Sequence, residues 1–100
     1  MEDTQLDRAA DNLWMNRRLT FNGQEMIVIH LVRSRDMRPL HVPWWKGKEV
    51  FLLGVESNGN LLLRHCDGSV RLWVHTEQSD HVLARSISEF LKMLKAETNG

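Results

Sequence analysis

The sequence predicts an α+β domain: a twisted, mostly antiparallel sheet of about five strands, with an N-terminal and a C-terminal helix packed on one face. Three observations predict it. Apolar residues recur at helical spacing near both ends, apolar and β-branched runs fill the interval between, and two glycine-containing joints, Ser57-Asn58-Gly59 and Asp67-Gly68, link three of those runs into a meander. One hundred residues make one domain, 1–100, and a chain of this size buries roughly two-thirds of the surface it exposes when unfolded. No metal or disulfide is needed to support such a core.

Leu6, Ala9, Ala10, Leu13 and Trp14 follow the i, i+3, i+4, i+7, i+8 pattern of an amphipathic helix, predicted over 4–18. Thr4 is its expected cap, and Asp3 and Asp7 suit the positive end of the helix dipole. Strands follow near 19–21 and 25–33, joined by the turn signal Asn22-Gly23. Met26 to Val32 is apolar at nearly every position, so the second strand is expected inside the sheet with both faces covered.

Between 34 and 49 the periodicity disappears and Pro39 and Pro43 interrupt any ladder, which predicts a long loop. The meander occupies strands near 50–56, 60–66 and 69–75. Gly59 suits the left-handed position of a three-residue hairpin loop, and Asp67-Gly68 reads as a two-residue type I′ turn. Those loop lengths set a register that gathers Phe51, Leu53, Val55, Leu61, Leu63, His65, Val70, Leu72 and Val74 on one face. The opposite face then mixes Leu52, Leu62 and Trp73 with Asn60, Arg64, Arg71 and His75, and sets Arg64 opposite Arg71. Like charges so placed disfavour a hairpin unless an anionic group lies over them. Ser86-Ile87-Ser88-Glu89 is a capping box, and Ile87, Phe90, Leu91 and Leu94 form the apolar stripe of a closing helix over 86–96.

Thirteen basic and thirteen acidic residues leave no global field to draw the chain to nucleic acid or an anionic membrane. Locally, Arg33, Arg35, Arg38, Lys46 and Lys48 share one stretch with a single acid, Asp36, and form a basic island. One cysteine, Cys66, excludes an internal disulfide framework and fits a reducing compartment. The polar, acidic start MEDTQLDRAADN lacks the basic and apolar regions of a secretion signal. A cytoplasmic, non-membrane protein is therefore expected.

No reacting centre can be assembled from these residues. His65-Cys66-Asp67 is the tightest set of donors, but adjacent strand residues point to opposite faces and cannot converge on one ion. His75 and His81 lack the short fixed spacing of a zinc site. There is no Gly-x-Ser-x-Gly elbow, no base beside Cys66, and no glycine-rich phosphate loop. A non-catalytic domain without metal or cofactor is the expectation.

Four tryptophans are the more informative signal. Trp14 fits a helix core stripe, and Trp73 fits packing beneath a helix. Trp44 and Trp45 are neighbours that cannot easily both point inward, so either at least one is exposed or the loop seals both. Exposed tryptophan beside arginine and lysine is the composition of a protein-binding hot spot. Trp44, Trp45, Arg38, Lys46, Arg64, Arg71, Trp73 and His75 are accordingly the candidate partner-binding residues. The same residues could grip single-stranded nucleic acid by stacking and phosphate contact, an alternative that neutral charge disfavours. A second copy of the chain covering the amphipathic face, in a homo-oligomeric structural or adaptor protein, is the third possibility.

From Pro43 onward, three pieces of the chain resemble the SUKH superfamily: Leu53-Gly54-Val55-Glu56 leading into GNLLL, the segment DGSVRLWVH, and the closing ARSISEFLKML. The resemblance covers a little over half of the chain. It implies a twisted, mostly antiparallel sheet flanked by helices, and a bacterial immunity protein that neutralises a toxin by direct binding in the cytoplasm. It also implies a shortened variant, because a Leu-Pro-x-x-Tyr-like stretch and an Asn-Gly-Gly turn, usual in longer members, are absent between Trp14 and Met26. Inhibitors of nucleases tend to present acidic surfaces, whereas the loop here is basic. The expected partner is a non-nuclease toxin or a protein with an acidic contact surface.

Overall fold

The computed structural model describes residues 2–12, 17–21, 23–41 and 49–94. The chain runs α1 (Glu2–Asp11), β1 (Arg18–Phe21), β2 (Gln24–Leu31), a 3-10 turn at Ser34–Asp36, β3 (Val50–Glu56), β4 (Leu61–His65), β5 (Val70–Val74), β6 (Ser79–Ala84) and α2 (Ile87–Met93). It is an α+β fold, as the sequence predicts, but with six strands. They form an antiparallel meander in the order β1-β2-β3-β4-β5-β6. The sheet curls until it is nearly a barrel: Phe21 on β1 and His81 on β6, the two outer strands, bring their ring centroids to 5.9 Å.

β6 was not expected. Its turn carries no Gly, Pro, Asn or Asp in Thr76-Glu77-Gln78; Gln78 itself takes the left-handed conformation at φ 51. Such backbone costs a residue with a Cβ about 1–2 kcal/mol, so the position gives no turn signal to a reader of sequence. α1 also differs from the helix expected over 4–18. It starts at Glu2, which puts Thr4 inside the first turn and not at the cap, and its last turn closes at Asn12, whose amide donates to the Arg8 carbonyl at 3.0 Å. Arg18 already belongs to β1.

β2 lies inside the sheet, but it is not covered on both faces. Met26, Val28 and Leu31 are buried, whereas Ile29 is 53% exposed. A bulge between Val28 and His30 adds one residue to the strand. The period of two is therefore broken once, and MIVIHL mimics a continuous apolar run. A hairpin follows β1 as expected, with Phe21 opposite Gln24 and Gly23 at φ 78.

The largest correction concerns β4 and β5. Gly68 donates to the His65 carbonyl and His65 to the Ser69 carbonyl, both at 2.9 Å, so the loop is Cys66-Asp67-Gly68 with Gly68 at φ 91. Three loop residues, not two, shift the register by one. Arg64 stands opposite Val70, and Arg71 opposite Leu63. The expected single apolar face is therefore split. Leu62 and Arg64 share the inner face with Val70 and Leu72, while Leu61, Leu63 and His65 turn outward with Arg71 and Trp73. A bulge between Leu52 and Gly54 divides β3 in the same way.

The inner face carries the core. Leu19, Met26, Val28, Leu31, Leu53, Leu62, Val70 and Leu72 pack with Leu6 of α1 and with Ile87, Phe90 and Leu94 of the C-terminal segment. Burial of each such side chain is worth about 1.5–3 kcal/mol. α1 is also held by polar contacts: Asp7 accepts from the Ser34 amide at 2.8 Å, and Arg33 pairs with Asp11. Ser86 caps α2 as expected, accepting from the Glu89 amide at 3.1 Å, while the Glu89 carboxylate accepts from the Arg85 amide at 3.0 Å.

Gly54 marks where β2 and β3 press closest. A Cβ there would lie 2.3 Å from the His30 carbonyl oxygen, which is backbone and cannot swing aside, and 3.0 Å from the Leu31 side chain. Gly54→Ala is expected to destabilise the domain by about 1–3 kcal/mol, measured by urea unfolding.

Candidate functional site

Both helices lie on the inner face, so the outer face of the meander is where the fold leaves side chains for another molecule. Register aligns one row straight across five strands: His30, Val55, Leu61, Trp73 and Asp80. A second row, Leu52, Leu63, Arg71 and Val82, runs beside it. Val55, Leu61 and Trp73 are half-buried, Leu63 is buried, and Val82 is 54% exposed. The half-buried Val55, Leu61 and Trp73 thus form an apolar centre with polar groups at its edge. A depression of about 350 Å³ at its edge is lined by Gly59, Leu61, Trp73, His75 and the strained Gln78.

The polar rim is organised by Arg71. Its guanidinium reaches Asp80 Oδ2 at 3.1 Å, Asp67 Oδ2 at 3.6 Å and Ser69 Oγ at 3.2 Å. His65 Nε2 approaches the same Asp80 oxygen at 3.3 Å. Two carboxylates thus neutralise Arg71 within the chain, and its charge serves the surface chiefly by fixing Asp80 and Ser69. Asp67 accepts from the Ser69 hydroxyl at 2.7 Å and from its amide at 2.9 Å, which closes the loop and holds the Asp67 carboxyl below its ordinary pKa. Cys66, at the tip of this loop, is exposed.

At the other end of the strands Glu56 is fully buried. One carboxylate oxygen accepts from the Asn58 and Asn60 amides at 3.0 and 2.8 Å, and Asn60 in turn accepts from the His75 amide at 3.3 Å. Glu56 therefore ties the β3-β4 turn to the end of β5, beside Trp73. Nothing in the spacing of Glu56 announces this role. An acid three residues before Gly59, at a strand end, is the one signal that could have suggested a turn cap.

The predicted partner-binding residues separate. Trp73, Arg71 and His75 come together on the outer face, with His75 exposed. Arg64 is on the inner face, away from them. Arg38 is exposed on the segment that reaches β3 through the Pro39–Phe51 bridge, and its guanidinium donates to the carbonyls of Arg35 and Met37 at 3.0 and 3.2 Å. Trp44, Trp45 and Lys46 lie outside the described residues. Leu61, Val55, His30 and Val82 belong to the surface and were missed, because the two-residue reading of Asp67-Gly68 put Leu61 on the wrong face and β6 was not seen. Among the described residues no three of His, Cys, Asp and Glu converge as metal ligands, and no helix is long and apolar enough to cross a membrane.

Burial lowers the pKa of His65 from 6.5, against the opposing pull of Asp80. The unfolded chain therefore takes up this proton first, and stability present above the unfolded value is lost as pH falls through the lower folded value. Stability is expected to be level above pH 7 and to decline below about 6.5, a slope that His65→Gln removes; denaturant midpoints across pH 5–8 measure it. The lowered pKa of Asp67 adds a second decline, starting only below 3.8.

A scan against protein-family models matches none, and searches of curated proteins and of solved structures return no match for this chain.

Proposed function

We propose that this chain is a non-catalytic protein-binding domain, an immunity protein of the SUKH kind that neutralises a toxin by occluding it. The observation that supports the reading is the row Val55, Leu61, Trp73 on the helix-free face, rimmed by His30, Asp80, Arg71 and His75. A half-buried tryptophan among aliphatic neighbours, with polar groups at the edge, matches the composition of binding hot spots. Gln78 supports it further, since strained backbone tends to be kept where a surface has work to do. The resemblance in GNLLL, DGSVRLWVH and ARSISEFLKML supplies the toxin-neutralising role and the cytoplasmic setting.

Stoichiometric occlusion sets the mechanism. Trp73 and Leu61 lose their remaining water to the partner, and Asp80 and His75 fix its orientation. With Arg71 neutralised by Asp67 and Asp80, the surface is less basic than Arg64 and Arg71 side by side would have made it. Specificity then rests on shape and on single charges.

The test is co-expression with the product of the adjacent reading frame, followed by calorimetry on the purified pair. Wild-type protein is expected to rescue growth and bind one to one, and Trp73→Ala to weaken binding at least about 30-fold, the threshold loss of a hot spot, whereas Arg18→Ala leaves it unchanged. Unweakened binding by Trp73→Ala would move the interface elsewhere. Absence of binding by the wild type, together with log-linear, salt-sensitive binding of a single-stranded oligonucleotide, would favour the nucleic-acid alternative.

A further inference from the structure

A second site is written into the inner face, on the far side of the sheet from Trp73. Register places Arg64 in the row Phe51, Arg64, Val70, Ala84. Val70 is fully buried and Ala84 nearly so. Arg64 is the only charged residue in that row. It is half-buried, yet its guanidinium makes no ion pair or hydrogen bond with any described residue. Arg71, its neighbour on β5, has three such partners, and Arg18 and Arg33 each have one.

A partly desolvated cation without a counter-charge is costly, so the site is set to gain from an anion. Among the described residues no carboxylate pairs with it. Asp7 is engaged by the Ser34 amide and hydroxyl at 2.8 and 3.2 Å. Asp11 is engaged by Arg33. Arg64 opens instead onto a depression of about 210 Å³ that it lines with Ser34, Met37 and Phe51. Two apolar walls and a guanidinium suit one oxyanion, and because the Ser34 hydroxyl already donates to Asp7 at 3.2 Å, the guanidinium alone holds it. Pockets that take nucleotides and other drug-sized ligands run from about 300 Å³ upward, so the space admits a single carboxylate or phosphate group and little more. Exposed Arg35 and Arg38 stand on the same segment as Ser34 and add to the local positive potential, against the single exposed acid Asp36.

We propose that Arg64, Ser34, Met37 and Phe51 form a binding pocket for a single oxyanion group, a carboxylate or a phosphate, held by the Arg64 guanidinium. The planar fork of arginine can engage either group with two parallel hydrogen bonds. The pocket is independent of the Trp73 surface and stands whether or not that surface binds a toxin.

The test follows the Nε–H resonance of Arg64 by NMR while N-acetylglutamate or inorganic phosphate is added, with sodium chloride at equal ionic strength as control. A saturable shift of Arg64, with the Arg71 resonance unmoved, is expected, and Arg64→Gln should weaken the interaction at least about tenfold, the loss of a hydrogen bond to a charged group. Saturation by N-acetylglutamate alone assigns the pocket to a carboxylate, and saturation by phosphate assigns it to a phosphate group. A linear drift equal to that caused by chloride, or shifts of the same size at Arg38 and Arg64, would overturn the proposal. These readings come from wild-type protein and hold even if Arg64→Gln fails to fold.

Discussion

Everything on the outer face depends on one closed loop of three residues. The Asp67 carboxylate holds the Ser69 amide and hydroxyl, Gly68 turns through positive φ, and His65 pairs with Ser69 across the turn. Because side chains alternate strictly along a strand, one residue more or fewer in this loop would exchange the two faces of β4 relative to β5. With three, Leu62 joins Leu72 in the core and Leu61 joins Trp73 outside. The same geometry parts Arg64 from Arg71, so a like-charge clash becomes two separate features. One is an arginine neutralised by Asp67 and Asp80, and the other an arginine on the inner face that pairs with no carboxylate among the described residues.

Three bulges act in concert with that loop. Each adds a residue to β2, β3 or β6, increases local twist, and lets a strand change which side chains it buries. A meander of six strands with such kinks can curl until its outer strands meet, as Phe21 and His81 do. Curling concentrates the inner face around Leu6, Ile87 and Phe90. It spreads the outer face, where Trp73 and its neighbours stay half-buried. The core and the candidate surface are thus two consequences of one curvature.

Much of this was legible in the sequence. The α+β class, the Asn22-Gly23 hairpin, the positions of β3, β4 and β5, and the Ser86 cap each rest on local rules: period, turn residue, capping side chain. What was not legible depends on single-residue offsets. MIVIHL looks continuous because a bulge hides its alternation, and Asp67-Gly68 serves two-residue and three-residue loops alike. β6 follows a turn whose left-handed residue is a glutamine, against every propensity. Of the candidate surface, Arg71, Trp73 and His75 were placed on one face by the alternation along a single strand, which a shift of register between strands leaves intact. Leu61 and Val55 were placed wrongly or not weighed, because a surface formed across strands is a property of register.

The most direct test of this account is the β4-β5 register itself. Interstrand nuclear Overhauser effects are predicted to link Leu61 with Trp73, Leu62 with Leu72, and Arg64 with Val70. Contacts linking Arg64 with Arg71 and Leu63 with Leu72 would contradict it, since they would require a two-residue loop and return Trp73 to the face of Leu62.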